Sequence, residues 1–355
     1  MINPLSPVEK REEMNLDPDI IYLNHAATGI WPKKSYEIFR DRMDIISRKG
    51  EMGFDIDECM VEVDALFSKF AKLINCESSS IGLTNSTSDG MHHFATGFHP
   101  EKLRGRTIIL NDLEFIANSV IWQQMAKKNQ MEINLVKSIN GRLLLEDFEK
   151  AIDDKTAFVA ISSVQFSNGF RMNMKELTDL AHNHGALMVV DAIQHVGALQ
   201  LDTKGLDLDF ITVGGYKWLL GPYGTGLTYV KPELQEELDP VSVTWHGQAD
   251  MFDMSHHEYL PAETGKRFST LGAIHPAIFA LSATLEYHLK WGPASTEQYL
   301  YKLTNHIVNR FQTDLPEFVL ISPRELRSES SQILSFKPNM DPEILINHLK
   351  SNNIV

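Results

Sequence analysis

Cysteine is scarce in this sequence: Cys59 and Cys76 are the only two. They offer no disulfide framework, which excludes the small cross-linked secreted folds. Positive charge is also in short supply, with 33 Lys and Arg against 47 Asp and Glu and a net charge of −14. That balance argues against nucleic acid or an anionic membrane as a partner. No apolar run approaches the length of a membrane span, and the start MINPLSPVEKREEM has neither the basic residues nor the apolar core of a signal peptide. A soluble, cytoplasmic protein is expected. Internal repeats and low-complexity segments are missing too. The 14 histidines are scattered, and the pairs His92-His93 and His256-His257 lack the i, i+4 spacing that would turn both rings to one helix face. No metal site is expected.

What the chain does have is apolar mass, 43% of 355 residues, enough to bury a large core and to build two or three domains. Its organising stretch is VVDAIQHVGALQLDTKGLDLDFITVGGYKWLLGPYGTG, from Val189 to Gly226. An apolar run, Ala186 to Val190, delivers Asp191 to the end of a buried strand. A second run, Phe210 to Val213, ends in Gly214-Gly215-Tyr216-Lys217-Trp218. An acid and a lysine at the carboxyl ends of two strands are what a pyridoxal phosphate site needs, because ligands of open α/β sheets sit there. Asp191 would pair with the pyridine nitrogen, and Lys217 would hold the cofactor as a Schiff base and carry the proton once substrate displaces it. Taken singly, Asp191 also reads as a loop cap and Lys217 as a surface lysine. The glycines and aromatics on both sides of Lys217 suit a tight backbone path better than a solvated face.

The pattern Asp-x-x-Gln-x-x-Gly (Asp191, Gln194, Gly197), a lysine 26 positions after the acid and a Gly-Pro-x-Gly-x-Gly turn from Gly221 resemble the class V aminotransferases. This group of fold-type I pyridoxal phosphate enzymes includes cysteine desulfurases, selenocysteine lyases, kynureninase and isopenicillin N epimerase-like proteins. The resemblance runs from about Ile21 to the C-terminus, and it implies an α/β large domain with a mostly parallel sheet and a smaller α+β C-terminal domain. The alternation of strands and helices from Ser80 to Val230 supports that class independently. The expected division is an N-terminal segment 1–20 packing on the small domain, a cofactor domain 21–255 and a small domain 256–355.

In chain order, Asn24 and His25, after a short strand at 20–23, match the family's segment beside the substrate, or else cap a following helix. Helical spacing runs from Lys34 to about Leu73. Ser86, Thr87 and Ser88 follow a strand and open a helix, where unpaired N–H groups and hydroxyls suit a phosphate, although the same residues serve as an ordinary N-cap. Phe115 stands where desulfurases carry a histidine over the cofactor ring; it can stack there but cannot transfer a proton. Gln165 or Asn168 could approach the phenolic oxygen, with Gln194 the stronger candidate by resemblance, and Tyr216 would donate to the phosphate. His195 reads as a packed histidine. Gly214 takes the place of a serine found in many relatives. Arg267-Phe268-Ser269-Thr270 resembles the segment that lends a hydroxyl to the neighbouring subunit's phosphate, which would make Thr270 a cofactor contact and the enzyme a homodimer. A helix from about Ile274 to Leu289, another at 296–312, strands at 318–321 and 332–336 and a helix from Pro342 complete the chain. Relatives continue past a sequence like Asn352–Val355 into a loop with the desulfurase cysteine and then an arginine for the substrate carboxylate. Neither residue stands there in this sequence.

The expected activity is therefore that of a pyridoxal phosphate enzyme acting on an amino acid or other primary amine, by transamination or epimerisation. Two alternatives stand beside it: a cysteine desulfurase or selenocysteine lyase, and an inactive sensor or scaffold with the same fold.

Overall fold

The computed structural model describes residues 11–255, 257–270 and 275–355. His256 of the second histidine pair, the first half of the 1–20 segment and the expected helix start at Ile274 lie outside the described residues.

Short apolar runs form a seven-stranded sheet: β1 (Ile81–Thr84), β2 (Thr107–Asn111), β3 (Glu132–Val136), β4 (Thr156–Ser162), β5 (Leu187–Asp191), β6 (Phe210–Gly214) and β7 (Gly226–Val230). Their spatial order is β1-β7-β6-β5-β4-β2-β3. All the pairings are parallel except the two made by β7, which runs antiparallel to both β6 and β1. The mostly parallel α/β sheet expected from the sequence is therefore present. Strands buried on both faces need no polar alternation, and β5 shows why: Met188 and Val190 enter one core while Val189 enters the other. The first core is filled from outside by helices Ile56–Ile74, Met174–Asn183 and His275–Trp291. The second is filled by helices Thr87–Thr96 and Ile116–Asn129.

The helical pattern from Lys34 to Leu73 divides into two helices, Lys33–Lys49 and Ile56–Ile74. Gly50, at φ +56°, ends the first, and Asp55 restarts the second by accepting a hydrogen bond from the Glu58 N–H. Helix His275–Trp291 packs across both of them; on a division at 255/256 it belongs by sequence to the C-terminal unit while packing on the N-terminal one. Beyond it come helix Pro293–Asp314, the two-residue strands β8 (Val319–Leu320) and β9 (Phe336–Lys337), and helix Pro342–Ser351. The strand expected at 332–336 reduces to that short pair, and the Ile333 N–H is held by the Ser331 hydroxyl at 3.2 Å and not by a ladder. The strand expected at 20–23 is a single bridge, Ile21 to Ile354.

Two glycines let the segments around the carboxyl ends of β5 and β6 approach closely. A Cβ on Gly29 would stand 2.0 Å from the Lys217 carbonyl oxygen, and one on Gly197 would stand 2.2 Å from that of Trp218. Gly197 also sits at φ +96°, a conformation that L side chains avoid. The two contacts clamp the lysine loop between the opening segment and the turn after β5. Gly197→Ala should therefore cost about 2–4 kcal/mol in denaturant unfolding, whereas Gly185→Ala, at φ +68° with open space around it, should cost about 1 kcal/mol.

Candidate active site

β5 ends on Asp191, directly across from Thr212 of β6, and the two strands carry the acid and the lysine loop to one edge of the sheet. Asp191 is 6% exposed; its Oδ1 accepts the Ile193 N–H at 2.9 Å. After β6 the chain closes a tight loop: the Gly215 N–H meets the Thr225 carbonyl at 2.8 Å, Gly221 bonds back to Gly215 at 2.7 Å and Leu220 to Lys217 at 2.9 Å. That loop projects Lys217 Nζ between two rings, 5.8 Å from the centroid of Phe115 and 6.0 Å from that of Tyr216. Tyr216 is in turn stacked on Tyr223 at 4.6 Å, and Tyr223 shares a 2.5 Å hydrogen bond with Thr28.

Asp191 and Lys217 open into one cleft, together with Ser86, Thr87, Ser88, Phe115, Gln194 and Tyr216. The sequence reading names all eight, and the fold brings them together. Ser86 is the N-cap of helix Thr87–Thr96, accepting the Asp89 N–H at 3.1 Å, and the first N–H groups of the helix have no intrahelical partner. Gly90 lets this helix lie against β6 and β7, since a Cβ there would meet Thr212 Oγ1 and Thr228 Cγ2 at 2.4 Å. Thr212 Oγ1 holds the Thr87 carbonyl at 3.1 Å, yet the buried Thr87 hydroxyl has no partner among the described residues. A buried hydroxyl without a partner at a helix N-terminus fits an anionic phosphate.

Four other expected residues lie outside the lining of the cleft. Gln165 is fully buried and donates to Glu114 Oε1 at 2.9 Å. Thr270 donates to Asp89 Oδ2 of its own chain at 2.5 Å. Asn24 is exposed, and its carbonyl takes the N–H groups of Ala27 and Thr28. His25 stacks on Trp218 at 5.6 Å, and burial pushes its imidazole down to about 4. Gln194, although in the cleft, commits its amide to the Ala26 carbonyl at 2.9 Å and the Trp218 indole N–H at 2.8 Å. His195 is buried between Ser163 Oγ and the Gln200 carbonyl. Sequence reasoning missed Glu114. Its carboxylate gathers Asn111, Asn118, the Ser162 N–H, the Ser162 hydroxyl and Gln165, and so fixes the wall that carries Phe115. The signal for it was the row of amide and hydroxyl residues on β2, β4 and the adjoining helix, which needed a shared acceptor.

A larger cavity lies elsewhere, lined mainly by apolar side chains such as Phe54, Met60, Phe67 and Ile278, together with Cys59. It holds neither Lys217 nor Asp191, and the chemistry assigns the site to the smaller cleft. Cys59 and Cys76 are both absent from that cleft, and burial raises their thiols to about 11 and about 12. Among the described residues no helix is long and apolar enough to cross a membrane, and no cluster of three His, Cys, Asp or Glu could hold a metal ion.

Burial raises Asp191 to about 7 against the stabilising Ile193 N–H, with Glu114 adding to the rise and Lys217 opposing it. Burial lowers Lys217, and Asp191 partly offsets the shift. Both groups are moved toward neutrality, as the desolvation of ions requires. The folded chain without cofactor thus keeps a proton on Asp191 that the unfolded chain releases near pH 4, so stability falls as pH rises from about 4 through about 7. Asp191→Asn should make the cofactor-free protein more stable at pH 8 by about 1–4 kcal/mol, a difference that disappears near pH 4 in urea titrations.

A family model described as Aminotransferase class-V matches residues 21–355. The chain is 30% identical over 328 residues to a cysteine desulfurase of Escherichia coli O8 (strain IAI1), covering 90% of this chain and 78% of that one. It is 27% identical over 233 residues to an uncharacterized aminotransferase, YcbU, of Bacillus subtilis (strain 168), covering 66% of this chain but only 60% of the relative. The solved complex of the cystine C–S lyase C-DES with its reaction product cysteine persulfide shares the fold, with a TM-score of 0.85 at 21% identity over 95% of this chain and 89% of that one. The chain therefore belongs to the class V aminotransferase family of pyridoxal phosphate-dependent enzymes.

Proposed function

We propose that this enzyme cleaves the Cβ–S bond of a sulfur-bearing amino acid. One observation carries the reading: the relative matched at 30% over nearly the whole chain is a cysteine desulfurase, and the cleft supplies the amine and the acid that such cleavage needs. The expectation of transamination or epimerisation gives way to the alternative of C–S cleavage on that ground. In one form of such cleavage the sulfur leaves with its own substituent. Cystine cleavage, named for C-DES, is of this form.

The bound cofactor would supply an electron sink for the substrate's α-carbon. Thr87, Ser86, Ser88 and the open end of their helix would hold its phosphate, with the Tyr216 hydroxyl as a further donor. Asp191, already carrying a proton-binding affinity set by burial, would face the ring nitrogen and keep a proton there. Phe115 would lie flat against the ring and exclude water from that side. Lys217 would hold the aldehyde, release it to the substrate amine, and then take the α-proton, its ammonium pKa lowered by burial. The Cβ–S electrons leave with sulfur, and the sum is R–S–CH2–CH(NH3⁺)–COO⁻ plus water giving R–SH, pyruvate and ammonium. A homodimer, with the segment after Arg267 facing the neighbouring copy's phosphate, and a cytoplasmic location belong to the same proposal.

Incubating the holoenzyme with L-cystine or L-cysteine should release pyruvate together with cysteine persulfide from the first and sulfide from the second, and Lys217→Ala should lower that turnover by about 10³-fold or more. Accumulation of the pyridoxamine form with keto acid, or inversion of the substrate without pyruvate, would contradict the reading. Thr87→Ala should weaken cofactor binding by about 10-fold in equilibrium dialysis, the loss of one charge-assisted hydrogen bond.

A further inference from the structure

Fifteen of the described residues line the cleft, and six of them are taken up by the acid, the lysine, Tyr216 and the three hydroxyls of the phosphate end. Of the rest, three are polar, and each already holds a protein partner. Asn118 donates to Glu114 Oε2 at 2.7 Å and accepts the Trp122 indole N–H at 3.2 Å. The Ser162 hydroxyl donates to the same carboxylate at 2.6 Å. Gln194 has both ends of its amide engaged. The apolar lining is Met91, Phe115, Ala117, Ile121, Phe166 and Ile193, with Phe115 assigned above to the cofactor ring.

Phe115 and Phe166 meet edge to face at 5.2 Å, and both stay substantially exposed, at 45% and 41%. Ile116 and Val120, on the first turns of the adjoining helix, extend the apolar rim at 63% and 46%. An aromatic pair left half in water at the mouth of a cleft is unfavourable by itself, and its burial by an apolar group recovers that area. Asn118, Ser162 and Gln194 already hold protein partners on this wall, so a polar substrate side chain would compete with those bonds.

We infer that Phe166, held edge to face on Phe115, selects amino acids with an apolar side chain; joined to the C–S cleavage reading, on which this form of it rests, the substrate class is S-alkyl or S-aryl cysteine. Phe166 is the specificity-determining residue. The reaction balances as above: the Cβ–S bond breaks, the sulfur keeps the electron pair and leaves as an apolar thiolate that takes its proton from water. The wall carries no acid to protonate it, so leaving groups of low thiol pKa are favoured.

Two measurements on the holoenzyme test this. Spectral titration with L-phenylalanine and L-serine, which have no C–S bond, reads side-chain preference independently of cleavage. Pyruvate release compares kcat/KM for S-phenyl-L-cysteine and L-cysteine. Both ratios should favour the apolar member by about 10-fold or more, should fall by about that factor in Phe166→Asn, and should be kept in Phe166→Leu. Equal, reversed or undetectable binding of the two probes overturns the inference, as does a preference that Phe166→Asn leaves unchanged. Apolar preference without pyruvate from S-phenyl-L-cysteine refutes C–S cleavage and leaves the apolar selectivity standing. Faster release from L-cysteine than from S-phenyl-L-cysteine does the reverse.

Discussion

The structure depends on a carboxylate and an ammonium withdrawn from water into the same cleft, each pushed toward its neutral form by burial. Isolated ions in such surroundings are costly, and a fold keeps them only where something else repays the cost. Asp191 lies at the floor on a central strand, and Lys217 hangs from a loop between two rings. A ring with a basic nitrogen at one end, an aldehyde near the middle and a phosphate beyond would give each group a partner, with the Thr87 hydroxyl completing the set. The site thus holds stored electrostatic strain that cofactor binding would relieve.

The rest of the fold serves to hold these groups in register. Parallel pairing of β4, β5 and β6 brings three carboxyl ends to one edge. Close backbone contact at Gly29 and Gly197 fixes the lysine loop from two sides, while Glu114 fixes the opposite wall by gathering five donors. Polar side chains on that wall bond to Glu114 and help hold it together. Under the selectivity inferred above, scaffold and specificity would share those hydrogen bonds.

Much of this was legible in the chain itself. Continuous apolar runs ending in an acid or in Gly-Gly-Tyr-Lys place strands buried on both faces, and the carboxyl ends of such strands are where α/β sheets bind ligands. Hydroxyls at the start of helix Thr87–Thr96 are legible for a similar local reason. Residues whose roles depend on distant packing were not. Gln165 looked free but faces Glu114, Thr270 is held by Asp89, and Gln194 is shared between Ala26 and Trp218, because side-chain partners far apart in sequence leave no local signature. The break at Gly50 was masked by helical periodicity on both sides, and Phe166 carried no motif at all, only a position after β4.

The central claim is that Lys217 is the amine that holds the cofactor's aldehyde, with Asp191 behind the ring. Borohydride reduction of the protein loaded with pyridoxal phosphate, followed by peptide mass mapping, addresses it directly. The account predicts one stoichiometric phosphopyridoxyl adduct, on the peptide that contains Lys217. An adduct on another lysine, or none after full loading, would contradict it.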